Sequence, residues 1–119
     1  MNLKDEEFSF SLFEVSKTRN IKNDEPLVEI RTNGRIVFNI KASDLLNDSH
    51  FCMLGYDEIN NTLGILPISE IRNNSFPIRY ATKGAYIGAK KFFKHFNILP
   101  KEQIQDRPFW AGQFIGVKL

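Results

Sequence analysis

The sequence of 119 residues predicts an α+β domain that is mainly β and carries two short helices. Three observations support this fold class. Apolar runs of strand length recur along the chain, two of them meet at a Thr-x-Gly turn in each half of the sequence (residues 32–34 and 82–84), and each hairpin is followed by a short segment with helical spacing of apolar residues. A chain of this length fits a single domain, so residues 1–119 are predicted to share one core.

The first predicted elements are three strands. An N-terminal strand is expected over residues 7–15, where apolar and serine residues alternate in the run Phe8-Ser9-Phe10-Ser11-Leu12. A polar loop closed by Pro26 separates it from a hairpin of residues 27–31 and 35–38. The turn of this hairpin is Thr32-Asn33-Gly34, because Asn-Gly favours the positive φ angles of tight hairpin turns.

A short helix and a second hairpin complete the first half. Asn39 is a favourable N-cap, and the apolar residues that follow it predict a helix over 40–47. Residues 51–56 and 62–68 are predicted to be paired strands joined by a turn. The polar segment 68–75 then connects the two halves.

The second half repeats this order. Residues 76–81 predict a strand, 82–84 a turn and 85–87 a returning strand. A helix is expected next, stopped near Asn97, because four apolar residues follow helical spacing: Ala89, Phe92, Phe93 and Phe96. The C-terminal run 109–119 is predicted to be strand, with Phe109 and Trp110 either packed in the core, which we favour, or exposed for binding.

Sliding the sequence against itself supports an internal repeat. An offset of 50 residues aligns the two Thr-x-Gly turns, and an offset of 52 aligns residues 63–65 with 115–117, both apolar-Gly-apolar. The predicted repeats are about 27–68 and 77–119. The alternative is that two unrelated ββα segments resemble each other.

The runs GRIVFNIKASDLL and FCMLGYDEINNTLGILPI (34–46 and 51–68) resemble the swapped-hairpin family of transition-state regulators and antitoxins, the AbrB, MazE and MraZ group. The resemblance implies a barrel-like domain made of two intertwined ββαββ-type repeats, here joined in one chain as a pseudo-dimer. It also implies a non-enzymatic, DNA-binding protein of transcription regulation.

Charge is distributed unevenly between the halves. Residues 1–76 carry 8 Lys and Arg against 12 Asp and Glu, whereas residues 77–119 carry 8 against 2. An anionic partner is therefore expected at the second half.

The predicted DNA contacts flank the two turns and are Arg31, Arg35, Arg79 and Lys83. A second basic surface is predicted on the second helix, formed by Lys90, Lys91 and Lys94 with His95. The alternatives are solvated side chains without a partner, or docking of an acidic protein by a protein-interaction or scaffold module of the same fold.

Other chemistry is not indicated by the sequence. His50 and Cys52 have no further ligands of the kind that a zinc site requires, so no metal or cofactor is expected. The apolar neighbours of Cys52 predict a buried thiol rather than a nucleophile. Gly34 and Gly84 are predicted to permit turn geometry, and no catalytic residues are proposed.

The same composition bears on location. The sequence has one cysteine, no run of ~20 apolar residues and no basic, apolar export signal at its start. These features predict a cytoplasmic protein without a membrane partner. The sequence leaves the oligomeric state open.

Overall fold

A computed structural model of the chain describes residues 25–119, and ten strands and two short helices lie within them. The strand predicted over 7–15 lies outside the described residues. In chain order the elements are β1 (Val28–Ile30), β2 (Arg35–Phe38), α1 (Ile40–Ser43), β3 (Phe51–Asp57), β4 (Thr62–Ile68), β5 (Phe76–Pro77), β6 (Arg79–Ala81), β7 (Gly84–Gly88), α2 (Lys90–His95), β8 (Ile104–Asp106), β9 (Phe109–Ala111) and β10 (Phe114–Lys118).

The strands form two antiparallel sheets of five strands each. Sheet A has the order β9-β10-β4-β3-β5, and sheet B has the order β6-β7-β2-β1-β8. One cluster of buried side chains takes members from both sheets and from both helices, among them Phe38, Leu63, Ile115 and Phe93. The α+β class is therefore confirmed in its coarse form, two antiparallel sheets with two short helices.

The first hairpin has a three-residue turn. The Gly34 N–H donates to the carbonyl of Arg31 at 2.9 Å, and the Arg31 N–H donates to the carbonyl of Arg35 at 2.9 Å. Gly34 has φ of +85°, while Asn33 is not among the residues with positive φ. Of the Asn-Gly pair, only the glycine therefore has a positive φ. This is typical of a three-residue hairpin loop, in which the last loop residue adopts the left-handed conformation.

Asn39 begins α1 as predicted. Its Oδ1 accepts from the Ala42 N–H at 2.8 Å and from the Leu27 N–H at 3.1 Å, and its Nδ2 donates to the Glu25 carbonyl at 2.7 Å. One side chain therefore caps the helix and holds the segment before β1. The helix continues as a 3₁₀ turn through Leu46.

The run 76–81 is divided between the two sheets, which the sequence did not predict. Phe76 and Pro77 pair with β3 in sheet A, whereas Arg79 to Ala81 pair with β7 in sheet B. Between them Ile78 is buried, and its N–H donates to the His50 carbonyl at 2.8 Å. The buried side chain fixes the point at which the chain crosses from one sheet to the other.

The C-terminal run 109–119 forms a hairpin rather than one strand. β9 and β10 pair antiparallel around Gly112, which has φ of +66°. Before this hairpin, β8 pairs with β1, although its sequence Ile104-Gln105-Asp106 carries no strand pattern. Pairing with a distant strand makes this segment β.

The two halves meet at the centre of each sheet. In sheet B, Ile36 faces Ile87 and Val37 faces Tyr86. At the offset of 50 residues, Ile36 corresponds to Tyr86 and Val37 corresponds to Ile87, so the two pairs are equivalent. In sheet A, Gly64 faces Gly116, its own counterpart at an offset of 52. Each register is compatible with a two-fold relation between the halves, at an offset of 50 residues in sheet B and 52 in sheet A.

Candidate nucleic-acid interface

Two of the predicted DNA contacts share the outer face of sheet B with an aromatic ring between them. Arg35 and Arg79 are exposed, while their strand neighbours Ile36 and Ile78 are buried. The guanidinium carbon of Arg35 lies 4.4 Å from the centre of the Tyr86 ring, and Arg79 is the strand partner of Tyr86. The ring fixes the Arg35 guanidinium above the sheet through a cation–π contact.

The other two predicted contacts lie differently. Arg31 forms an ion pair with Glu29, Nε to Oε1 at 3.0 Å, so its charge is partly neutralised. Lys83 lies in the two-residue turn between β6 and β7, and it lines a depression of about 200 Å³ together with Arg31 and Glu29. Because β2 and β7 are antiparallel, this turn and the turn at Gly34 lie at opposite ends of the strand pair.

A close backbone contact brings the first turn against α2. A β-carbon on Gly34 would lie 2.5 Å from the α-carbon of Lys90, and the Ala89 N–H donates to the Gly34 carbonyl at 3.0 Å. Gly34 therefore does more than permit a turn, since any other residue would push the hairpin away from the helix. This contact places Arg35 beside the lysines of α2.

Arg35 and these lysines line one end of a groove. The first part of the groove has a volume of about 310 Å³ and is lined by Asn33, Arg35, Phe76, Gly88, Ala89, Lys90 and Lys91. The second part has a volume of about 680 Å³ and is lined by Met53, Leu54, Asn74, Ser75, Phe76, Lys91, Phe92 and His95. Phe76 and Lys91 belong to both parts, so we treat them as one feature, the basic groove.

Charge in the basic groove has one sign. Arg35, Lys90 and Lys91 line it, whereas no acidic side chain of residues 25–119 lines either part. Lys94, predicted to belong to the same surface, is exposed on α2 but does not line the groove. Of the predicted residues, the groove therefore brings together Arg35 from the turn-flanking set and Lys90 and Lys91 from the helix.

The exposed aromatic residues include several that were expected in the core. Trp110 is 56% exposed and Phe109 is 42% exposed, so core packing was the wrong interpretation for both. Both belong to β9, which has β10 as its single strand neighbour in the part of sheet A that the structure describes. Phe96, the last residue of the predicted apolar stripe, is also 42% exposed because α2 ends before it. Its ring lies at the margin of the core, 5.1 Å from the ring of Phe92 and 5.6 Å from that of Tyr56 between centroids.

Cys52 has the character predicted for it. Its side chain is fully buried, and burial raises the pKa of the thiol from 9.0 to about 12. A thiol of this kind stays protonated at neutral pH and is a poor nucleophile. In the part of the chain that the structure describes, no group of three or more His, Cys, Asp and Glu side chains is arranged to hold a metal ion.

Sequence reasoning missed the groove because its walls come from distant segments. Arg35 and Lys90 are separated by 54 residues, and Phe76 was assigned only to a strand. The available signal was Gly34, which lacks a β-carbon and so permits its backbone to approach that of Lys90 closely.

Comparison of the chain with protein-family models, with curated proteins and with solved structures finds no match. Among residues 25–119, none of the helices has the length and apolar character needed to cross a membrane.

Proposed function

We propose that this chain is a non-enzymatic DNA-binding protein of the AbrB, MazE and MraZ type, active in transcription regulation in the cytoplasm. In this proposal, residues 27–68 and 77–119 are two intertwined ββαββ-type repeats that form one barrel-like, pseudo-dimeric domain. Support comes from the sequence resemblance over 34–68 and from the registers of β2 with β7 and of β4 with β10, which suit a two-fold relation.

The observation that carries the DNA-binding part is the convergence of Arg35, Lys90 and Lys91 on one groove without an acidic lining residue in the described chain. Cations arranged in this way neutralise backbone phosphates and release their counterions. Arg79, across the Tyr86 ring from Arg35, extends the positive surface. Arg31 contributes less in this proposal because Glu29 already pairs with it.

The test is a titration of fluorescently labelled, mixed-sequence DNA at two salt concentrations, followed by anisotropy. Three or four phosphate contacts predict that the association constant falls about 40- to 150-fold between 50 and 200 mM monovalent salt. R35A and K91Q should weaken binding and flatten this dependence. K41Q is the matched control, because Lys41 is the counterpart of Lys91 at the offset of 50 and lines no part of the groove.

No complex at low salt would contradict the proposal. Co-purification of an acidic protein in place of nucleic acid would favour the alternative, a protein-interaction or scaffold module of the same fold.

A further inference from the structure

The basic groove differs from a flat positive surface, because its cations stand beside an apolar floor. Phe76, Phe92, Met53 and Leu54 form part of the lining, while the cationic side chains come from α2 and from Arg35. We propose that the groove binds single-stranded nucleic acid in preference to duplex DNA. This inference rests on the proposed function and names the form of nucleic acid that the site takes.

The shape of the groove supports a single strand. Its two parts, of about 310 and 680 Å³, form a concave feature that is open to solvent and has the volume of a small-ligand cleft. A duplex keeps its base faces stacked inside and offers only base edges in its grooves. A single strand can place its unstacked bases on the floor of the groove while its phosphates meet the cations.

Phe76 is the residue best placed for stacking. It is half-buried and lines both parts of the groove, and β3 holds it through the pairing of Cys52 with Phe76. Phe76 also packs against the core cluster, so a base that stacks on its ring would restrict little remaining side-chain freedom. Asn33 and Asn74 add side-chain amides along the same lining, whereas the Ser75 hydroxyl is already bonded to the backbone of Arg72.

The cations form a track beside this ring. These cations are Arg35 and Lys90, which line the first part, and Lys91, which is common to both parts. The ring of His95 follows Lys91 by four residues, or about 6 Å along α2. Positions four apart lie on one face of a helix, so Lys91 and His95 both face the second part. A backbone that follows this track passes Phe76 at its middle.

Each chain has one such groove in the part that the structure describes. At the offset of 50, the counterparts of Arg35 and Lys90 are Ala85 and Ile40, which carry no charge. Of the three cations only Lys91 has a charged counterpart, Lys41, so the equivalent position in the other half lacks the converging cations that line the groove. We expect one strand to bind per chain.

The test compares labelled single-stranded and duplex DNA of the same length and sequence at 50 mM salt. The single strand should bind about tenfold more tightly or better, with a stoichiometry of one by calorimetry. Phe76→Leu should lower the affinity for the single strand about 5- to 150-fold, the range for loss of one stacked base, and should leave duplex binding almost unchanged. Phe76→Tyr, which keeps a ring, should restore most of the affinity.

Phe109→Leu is the matched control for loss of an aromatic ring, because Phe109 is exposed on sheet A and lines neither part of the groove. Circular dichroism establishes that each variant is folded. Duplex binding equal to or tighter than single-strand binding, or an equal loss for both forms in Phe76→Leu, would overturn this inference and leave the proposed function standing. Failure of both forms to bind would overturn the two together, and tight binding of an acidic polypeptide alone would do the same.

Discussion

Replacing Gly84 with alanine tests how closely the two halves are packed in sheet B. Gly84 has φ of +135°, and a β-carbon there would lie 1.9 Å from the carbonyl oxygen of Phe38. Phe38 belongs to β2 and is the strand partner of Ala85 in β7. The substitution therefore adds a collision between backbones to the cost of an unfavourable φ angle.

Two other glycines separate these effects. Gly112 has φ of +66° with open space around it, and Gly88 has open space and no positive φ. We expect Gly88→Ala to stay within about 0.5 kcal/mol of the wild type, and Gly112→Ala to cost about 1 kcal/mol from backbone strain alone. Gly84→Ala should cost at least about 3 kcal/mol, because strain of roughly 1 to 3 kcal/mol is joined by displacement of β2 from β7.

The measurement is equilibrium unfolding in urea, monitored by far-ultraviolet circular dichroism. Dichroism reports the sheets directly, whereas the exposed Trp110 is a weak reporter of unfolding. Unchanged m-values would show that the free energies of unfolding are comparable between variants. A Gly84→Ala protein as stable as Gly112→Ala would refute the argument for close packing at this position.

The further predictions concern three single side chains. Asn39→Ala should lower the free energy of unfolding by about 2 to 4 kcal/mol, because the helix cap and the hydrogen bonds to Leu27 and Glu25 are lost together. Asn39→Asp keeps the acceptor oxygen, so it should lower the free energy of unfolding by less in the same urea experiment. The pKa of Cys52 is raised from 9.0 to about 12, so the thiol should react with a disulfide reagent at pH 8 only after denaturation. Above pH 9 the unfolded thiol loses its proton and the folded one keeps it, so stability should fall as pH rises toward 12, and more steeply than in a Cys52→Ala variant. Trp110, the single tryptophan, should emit in the native protein at nearly the wavelength seen in urea and be quenched readily by acrylamide; a strongly blue-shifted emission would contradict its exposure.

Features set by neighbouring residues were predictable from sequence. The Asn39 cap needs only a side-chain acceptor three residues before the Ala42 N–H, and the helix that it starts was placed within about one residue. Asn97, predicted to stop the second helix, has φ of +57°, a left-handed angle that a helix cannot continue. Features of this kind depend only on residues that are close together in the sequence, so the sequence is enough to predict them.

Features set by distant residues were not predictable. Ile104-Gln105-Asp106 is a strand only because β1 offers it an edge, and the break at Ile78 depends on both sheets being in place. Trp110 shows a related difficulty, since its apolar character suits a core but its strand lies at the margin of sheet A. An apolar pattern shows which residues favour burial, and the arrangement of the sheets decides which of them achieve it.

The candidate site was predicted in its chemistry more than in its geometry. The charge asymmetry pointed to the second half, and Lys90 and Lys91 do line the groove. Arg35 lies beside these lysines because the backbone of Gly34 contacts that of Lys90, and these two residues are 56 positions apart in the sequence. No local pattern contains that relation.

The pairing of the two halves also affects how the protein can be synthesised. β2 finds its partner β7 about fifty residues further along the chain, and β1 finds β8 more than seventy residues further. Pairing over such distances slows folding, because long loops must close before the contacts form. Until the ribosome has released the second half, the first half presents the open edges of β2 and β4, and unpaired edges of this kind invite aggregation. The yield of native protein should therefore depend on translation rate and on chaperones that shield these edges.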